Sequence, residues 1–146
     1  MRKRFALACI LLVNLILATA HAQTAVGDTI VDSLSGVPGD PVRGRAIVAS
    51  RQTGLCLLCH SGPFPEERFQ GNLAPELSMS SKRLTASQLR ARIVDASRFN
   101  PGTIMPTYYK AEHLKRVGPK WIGQPILNEQ EIEDVVAFLA SLNTQP

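Results

Sequence analysis

Two thiols and an imidazole stand within one short stretch, Cys56-Leu57-Leu58-Cys59-His60. This C-x-x-C-H spacing is the one that attaches a c-type haem. Each thiol adds across a porphyrin vinyl group to form a thioether. The two intervening residues let the sulfurs straddle one edge of the ring, and the adjacent imidazole sits under the iron as proximal ligand. A chain tethered in this way has to fold around a large apolar disc, and its redox chemistry belongs to the cofactor. Other uses of C-x-x-C fit less well. Half a zinc site needs two further ligands at matched spacing, and the only other cysteine is Cys9. A thioredoxin-like motif needs a βαβ context that the chain does not display. Neither accounts for a histidine directly after the second cysteine.

The N-terminus agrees with a haem attached outside the cytoplasm. Arg2, Lys3 and Arg4 form a positive region, Phe5 to Leu17 is apolar apart from Asn14, and Ala20-His21-Ala22 is a small-x-small cleavage site. That is the pattern of a secretory signal peptide over residues 1–22, and it places the mature protein in the periplasm. A retained anchor would need about 20 apolar residues, more than this run offers, so no membrane span is expected in the mature chain. Cys9 comes too early in the run for a lipoprotein site. Removing residues 1–22 from 146 leaves 124, and the net charge falls from +4 to +1. Nothing in that charge argues for nucleic-acid binding.

A mature chain of this length suits one small domain. Aromatic residues are only 5% of the sequence, so a haem would also fill a core poor in large rings. Residues 23–39, with Gly27, Gly36, Pro38 and Gly39, have no sustained periodicity and read as an extended N-terminal arm. Residues 40–146 form the domain proper. Asp40-Pro41 starts a helix, as N-cap and first helical residue. This helix carries Gly44, Ala46, Ile47, Val48 and Arg51 and is predicted to end near Gly54. Residues 61–83 are rich in Gly, Pro and Ser and predict a long loop. Thr85 and Gln88 form a capping box, followed by Leu89, Ile93 and Ala96 on one helical face. This helix should stop before Asn100-Pro101-Gly102. Asn128 and Glu131 open a last helix whose stripe is Ile132, Val135, Val136, Leu139 and Leu142. Glu129, Glu131, Glu133 and Asp134 lie in its first turns, where the helix dipole favours negative charge. The predicted class is therefore all-α.

A histidine on one side of the iron leaves a sixth position to fill. Met79, Met105 and His113 are the candidates. Met105 is preferred because Asn100-Pro101-Gly102-Thr103-Ile104-Met105-Pro106 is a proline-restrained loop between predicted helices. Met79 has no such frame, and His113 lies in a basic, polar stretch. A thioether raises the reduction potential relative to a second imidazole.

The helix order resembles the cytochrome c fold, in which the first and last helices cross closely, often through a glycine against an aromatic residue. Gly44 and Phe138 are candidates for that contact. Three phrases carry a narrower resemblance: Cys56-Leu57-Leu58-Cys59-His60-Ser61-Gly62-Pro63, Gln70-Gly71-Asn72-Leu73-Ala74-Pro75-Glu76-Leu77 and Asn100 to Tyr109. Together they resemble SoxX, the monohaem subunit of the SoxAX cytochrome of bacterial sulfur oxidation, over roughly residues 40 to 143.

That resemblance implies a single covalent haem c held by Cys56 and Cys59, with iron ligated by His60 and Met105. It implies a heterodimer with a SoxA-type cytochrome that supplies the catalytic cysteine. Further partners are a SoxYZ carrier, to which thiosulfate is joined as a cysteine S-thiosulfonate, and a downstream cytochrome c acceptor. The enzyme is L-cysteine S-thiosulfotransferase, in which this chain transfers electrons and supplies no catalytic residue. A free monohaem shuttle between respiratory complexes is the alternative. Lys110, Lys115, Arg116 and Lys120 around Trp121 offer a docking patch or a solvated loop, and Asn100, Tyr108 and Tyr109 flank the methionine without a role the sequence specifies.

Overall fold

The structure is a computed structural model that describes residues 25–112 and 117–143. The signal sequence lies outside the described residues, as do His113, Lys115 and Arg116. Helices dominate. In chain order they are α1 (Pro41–Ala49), α2 (Leu77–Ser81), α3 (Ala86–Val94) and α4 (Glu129–Ser141), with 3₁₀ turns at Cys56–Leu58, Ala96–Arg98 and Pro119–Trp121. The all-α expectation holds. The one addition is a small antiparallel ladder, β1 (Ala25–Val26) with β2 (Thr29–Ile30), pairing Ala25 with Ile30 and Val26 with Thr29.

The helix starts are those the caps specify. Asp40 accepts from the amides of Val42 at 2.8 Å and Arg43 at 3.3 Å. Both capping boxes form, Thr85 with Gln88 and Asn128 with Glu131. Two expectations are corrected. The first helix stops at Ala49, short of Arg51 and Gly54. Ser50 turns extended, and its hydroxyl accepts from the amides of Gln52 and Thr53. A serine side chain that engages local amides in this way competes with helix propagation. The loop predicted over 61–83 contains α2, opened by Glu76, whose carboxylate accepts from the Met79 amide at 2.9 Å. At five residues α2 is too short to show a periodicity.

α1 crosses α4 at close range, and Gly44 is the reason it can. A Cβ built on Gly44 would lie 2.9 Å from the Phe138 Cβ and run into the Asp134 carbonyl. Phe138 in turn packs its ring 5.7 Å from that of Phe64. The expected stripe of α4 is buried throughout, from Ile132 to Leu142. Glu133 and Asp134, placed by the sequence in the first turns of this helix, are buried too. Arg90 makes a two-pronged ion pair with Glu133 at 2.7 and 2.8 Å, and Arg43 does the same with Asp134 at 2.7 and 2.9 Å. Burial opposes ionisation of Asp134, yet the bonds from Arg43, the Asp40 amide and Gln130 hold its carboxyl down to about 2. These acids also fasten the N-terminal segment. The Leu34 amide donates to Glu133 and the Asp40 amide to Asp134.

Candidate functional site

The crossing of α1 and α4, with α3 against α4, frames an apolar cavity of about 600 Å3. Val48, Leu55, Ile93, Leu127, Val135 and Leu139 form much of its wall. Cys56, Cys59, His60 and Met105 all line it. The fold thus brings together the four residues singled out from the sequence.

The cysteine side begins at Leu55, which has a left-handed backbone at φ 60° and directs the chain into the 3₁₀ turn at Cys56–Leu58. The turn closes with the amides of Cys59 and His60 donating to the Cys56 carbonyl. Burial pushes the Cys56 thiol up to about 11, a rise the Tyr108 hydroxyl offsets only in part. The segment Gln70 to Leu77 runs beside this turn and clasps it. The amides of Gly71, Ala74 and Leu77 donate to the carbonyls of Leu57, Cys59 and Ser61 at 2.8, 3.0 and 2.9 Å. A Cβ on Gly71 would stand 2.6 Å from the Cys59 carbonyl carbon, so the segment can lie this close only with glycine there. His60 Nδ1 is 2.6 Å from the Pro75 carbonyl oxygen. A carbonyl can only accept, so Nδ1 carries the proton and the Nε2 lone pair is left for a ligand.

The methionine side is a looped segment pinned at several points. Asn100 accepts from the Gly102 amide at 3.1 Å, and the Thr103 hydroxyl accepts from the Met105 amide at 3.1 Å. Asp95, buried before the loop, pairs with Lys110 after it at 2.9 Å. Burial works against the Asp95 charge, but Ser97 and Lys110 hold its carboxyl below the usual value. Lys110 is therefore part of the loop's fastening. Tyr108 is buried, and Tyr109 donates to Glu129 at 2.6 Å. That bond, with burial, pushes the Tyr109 phenol up to about 12 and lowers Glu129. Met79 lies on α2, 54% exposed, and is not among the cavity-lining residues.

This set of groups fits a haem c. Two thiols with two residues between them, an imidazole with one nitrogen already bonded, and a thioether line a space within the size of cofactor sites. Among the described residues no three His, Cys, Asp or Glu side chains gather as a metal ion would need, and no helix is long and apolar enough to cross a membrane. The Pro75 carbonyl and the Asp95–Lys110 pair are functional neighbours that sequence reasoning missed. The Gln70–Leu77 phrase was the available signal for the first; the second, a contact across a loop, left none.

No family model and no curated protein matches the chain. Among solved structures it is similar to a chain of the crystal structure of SoxXA from P. pantotrophus. The two share 38% identity over 82% of this chain and 93% of that chain, with a TM-score of 0.75. Identity at that level over nearly the whole of the matched chain, on a cytochrome c-type helical frame that gathers Cys56, Cys59, His60 and Met105, means that this chain belongs to the SoxX family.

Proposed function

We propose that this chain is the electron-transfer subunit of a SoxAX-type L-cysteine S-thiosulfotransferase. The observation that carries the reading is the convergence of Cys56, Cys59, His60 and Met105 on one apolar cavity in a chain of the SoxX family. Cys56 and Cys59 would tether a single haem c through thioethers, and His60 and Met105 would ligate its iron. Such a haem supplies a one-electron iron couple.

The chain's own groups set the conditions for that couple. The Pro75 carbonyl holds His60 in the ligating tautomer. The Met105 thioether would hold the iron as its second protein ligand and would favour the reduced state over what a second imidazole would give. Val48, Ile93, Leu127 and Leu139 keep the site apolar.

With both cysteines of the mature chain tethered, no thiol is left for sulfur chemistry. The catalytic cysteine therefore belongs to a SoxA-type partner. Thiosulfate is joined there to a cysteine of the SoxYZ carrier, and the two electrons released pass through this subunit to a downstream cytochrome c. Export by residues 1–22 places the chain in the periplasm, with 23–39 as an arm and 40–146 as the cytochrome domain.

Tagged purification from the periplasm of thiosulfate-grown cells, with mass spectrometry of companions, tests the proposal. The expected result is a haem-bearing chain starting at Gln23 with an equimolar second cytochrome that carries a free or modified cysteine. A monomeric haem protein recovered alone at several salt concentrations would instead make it a shuttle cytochrome.

A further inference from the structure

Tyr108 follows Met105 by three residues and is only 4% exposed, yet its side chain reaches the opposite side of the cavity. Its hydroxyl donates to the Gly54 carbonyl at 2.6 Å and lies 3.9 Å from Cys56 Sγ. Its backbone is engaged as well. The Tyr108 amide donates to the Ile93 carbonyl at 3.2 Å, and its carbonyl accepts from the amides of Ile126 at 2.9 Å and Leu127 at 3.0 Å. One residue thus joins the end of α3, the approach to α4 and the entry to the haem-attachment turn. We propose that Tyr108 is a positioning residue that couples the two sides of the iron site, its hydroxyl holding the methionine loop at a fixed distance from the backbone that carries Cys56. This rests on the reading of Met105 as an iron ligand.

Two details give the phenol bond its weight. Gly54 is a rigid anchor, since it packs so closely on Ile47 that a Cβ there would run into the Ile47 carbonyl. A contact to it therefore transmits position. In addition, the Cys56 thiol shares the Gly54 carbonyl as a donor at 3.2 Å. A thioether has no S–H, so once Cys56 is tethered Tyr108 is the one of these two donors that remains. Replacing the phenol by a phenyl ring keeps the packing and leaves a buried carbonyl unpaired, the costly half of losing a hydrogen bond. Tyr109 supplies an internal control. It sits on the same loop and makes an equally short bond, but to Glu129 at the start of α4 and away from the haem turn.

The test compares ferric holoprotein of the wild type, Tyr108→Phe and Tyr109→Phe. The readouts are titration with imidazole as competing iron ligand, the long-wavelength absorption band of a ferric sulfur–iron bond, and thermal midpoint. In Tyr108→Phe imidazole should displace the thioether with about fivefold higher affinity, while Tyr109→Phe should stay within about twofold of wild type even where both lower the midpoint. Unchanged imidazole affinity in Tyr108→Phe, or an equal rise in both variants, overturns the proposal and leaves Tyr108 a packing residue. Met105→Ala separates the two layers of argument. If that variant keeps the sulfur–iron band, the ligation reading fails and takes this one with it; if the band is lost there while Tyr108→Phe matches wild type, only the coupling fails. Hydrogen exchange of the wild-type holoprotein adds a check that needs no variant. The Ile126 and Leu127 amides should share the protection of the Cys59 and His60 amides, and fast exchange of the former pair alone would count against coupling.

Discussion

The histidine side of the cavity is clasped by backbone atoms from a neighbouring stretch of chain, whereas the methionine side adds to its backbone bonds side chains that reach across the molecule. Gly71, Ala74 and Leu77 bond to carbonyls in and just after the Cys56–Leu58 turn, and Pro75 fixes His60, all across 16 positions or fewer. The Met105 amide is held by the Thr103 hydroxyl. The rest of its loop is held by the backbone bonds of Tyr108 to Ile93, Ile126 and Leu127, by Lys110 meeting Asp95 and by the Tyr108 hydroxyl meeting Gly54, the last 54 positions away. Backbone contacts leave little room for adjustment. Side-chain contacts can each be weakened separately, so the methionine side is the one whose geometry can be tuned.

The largest expected effect lies on the rigid side. Gly71→Ala places a methyl against the backbone of Leu58 and Cys59, and overpacking of that kind should cost about 3 kcal/mol. Denaturant unfolding of the holoprotein measures it, and a cost below about 1 kcal/mol would show that the clasp yields more than its contacts suggest.

The next effect tests the frame common to both sides. The Asp134 carboxyl is lowered in the folded chain from 3.8 to about 2. A depressed carboxyl contributes stability that is fully present above the unfolded value and is lost as pH falls through the folded one. Stability should therefore decline by about 2 kcal/mol as pH falls from 3.8 towards 2, where Asp134→Asn should have a flatter profile. Parallel profiles for the two proteins would remove Asp134 as the origin of that slope.

The smallest effect is reserved for the adjustable side. Asp95→Asn keeps the Ser97 contacts in part but loses the ion pair to Lys110, whose side chain is 47% exposed. Solvent screening at that exposure limits the loss of stability to about 1 kcal/mol. The change should nonetheless raise imidazole affinity, because the loop that carries Met105 is released at its base. Stability and imidazole affinity both equal to wild type would mean that the loop holds its place without the pair.

The sequence was informative wherever the governing interaction is short in range. The caps at Asp40, Thr85 and Asn128 and the apolar stripe of α4 each act over a few residues, and each formed as expected. Gly44 against Phe138 was legible too, through the likeness to cytochrome c helices. The Ser50 stop and the short α2 were missed for a different reason. Each is set by one side chain bonding to nearby amides, and such bonds leave no periodic trace.

What the tertiary structure alone decided is which polar groups the core encloses. Glu133 and Asp134 read as first-turn acids because helix-dipole logic sees only their own helix. Their burial follows from Arg90, 43 positions away, and Arg43, 91 positions away, arriving on either flank of α4. Tyr108 likewise is one of two adjacent tyrosines in the sequence, and only the folded chain sends one phenol to Gly54 and the other to Glu129. The sequence by itself determined the proposed chemistry, because attaching a haem takes specific residue types at fixed spacing. The fold determined how firmly each side of that chemistry is held, because holding depends on which distant groups packing brings within hydrogen-bond reach.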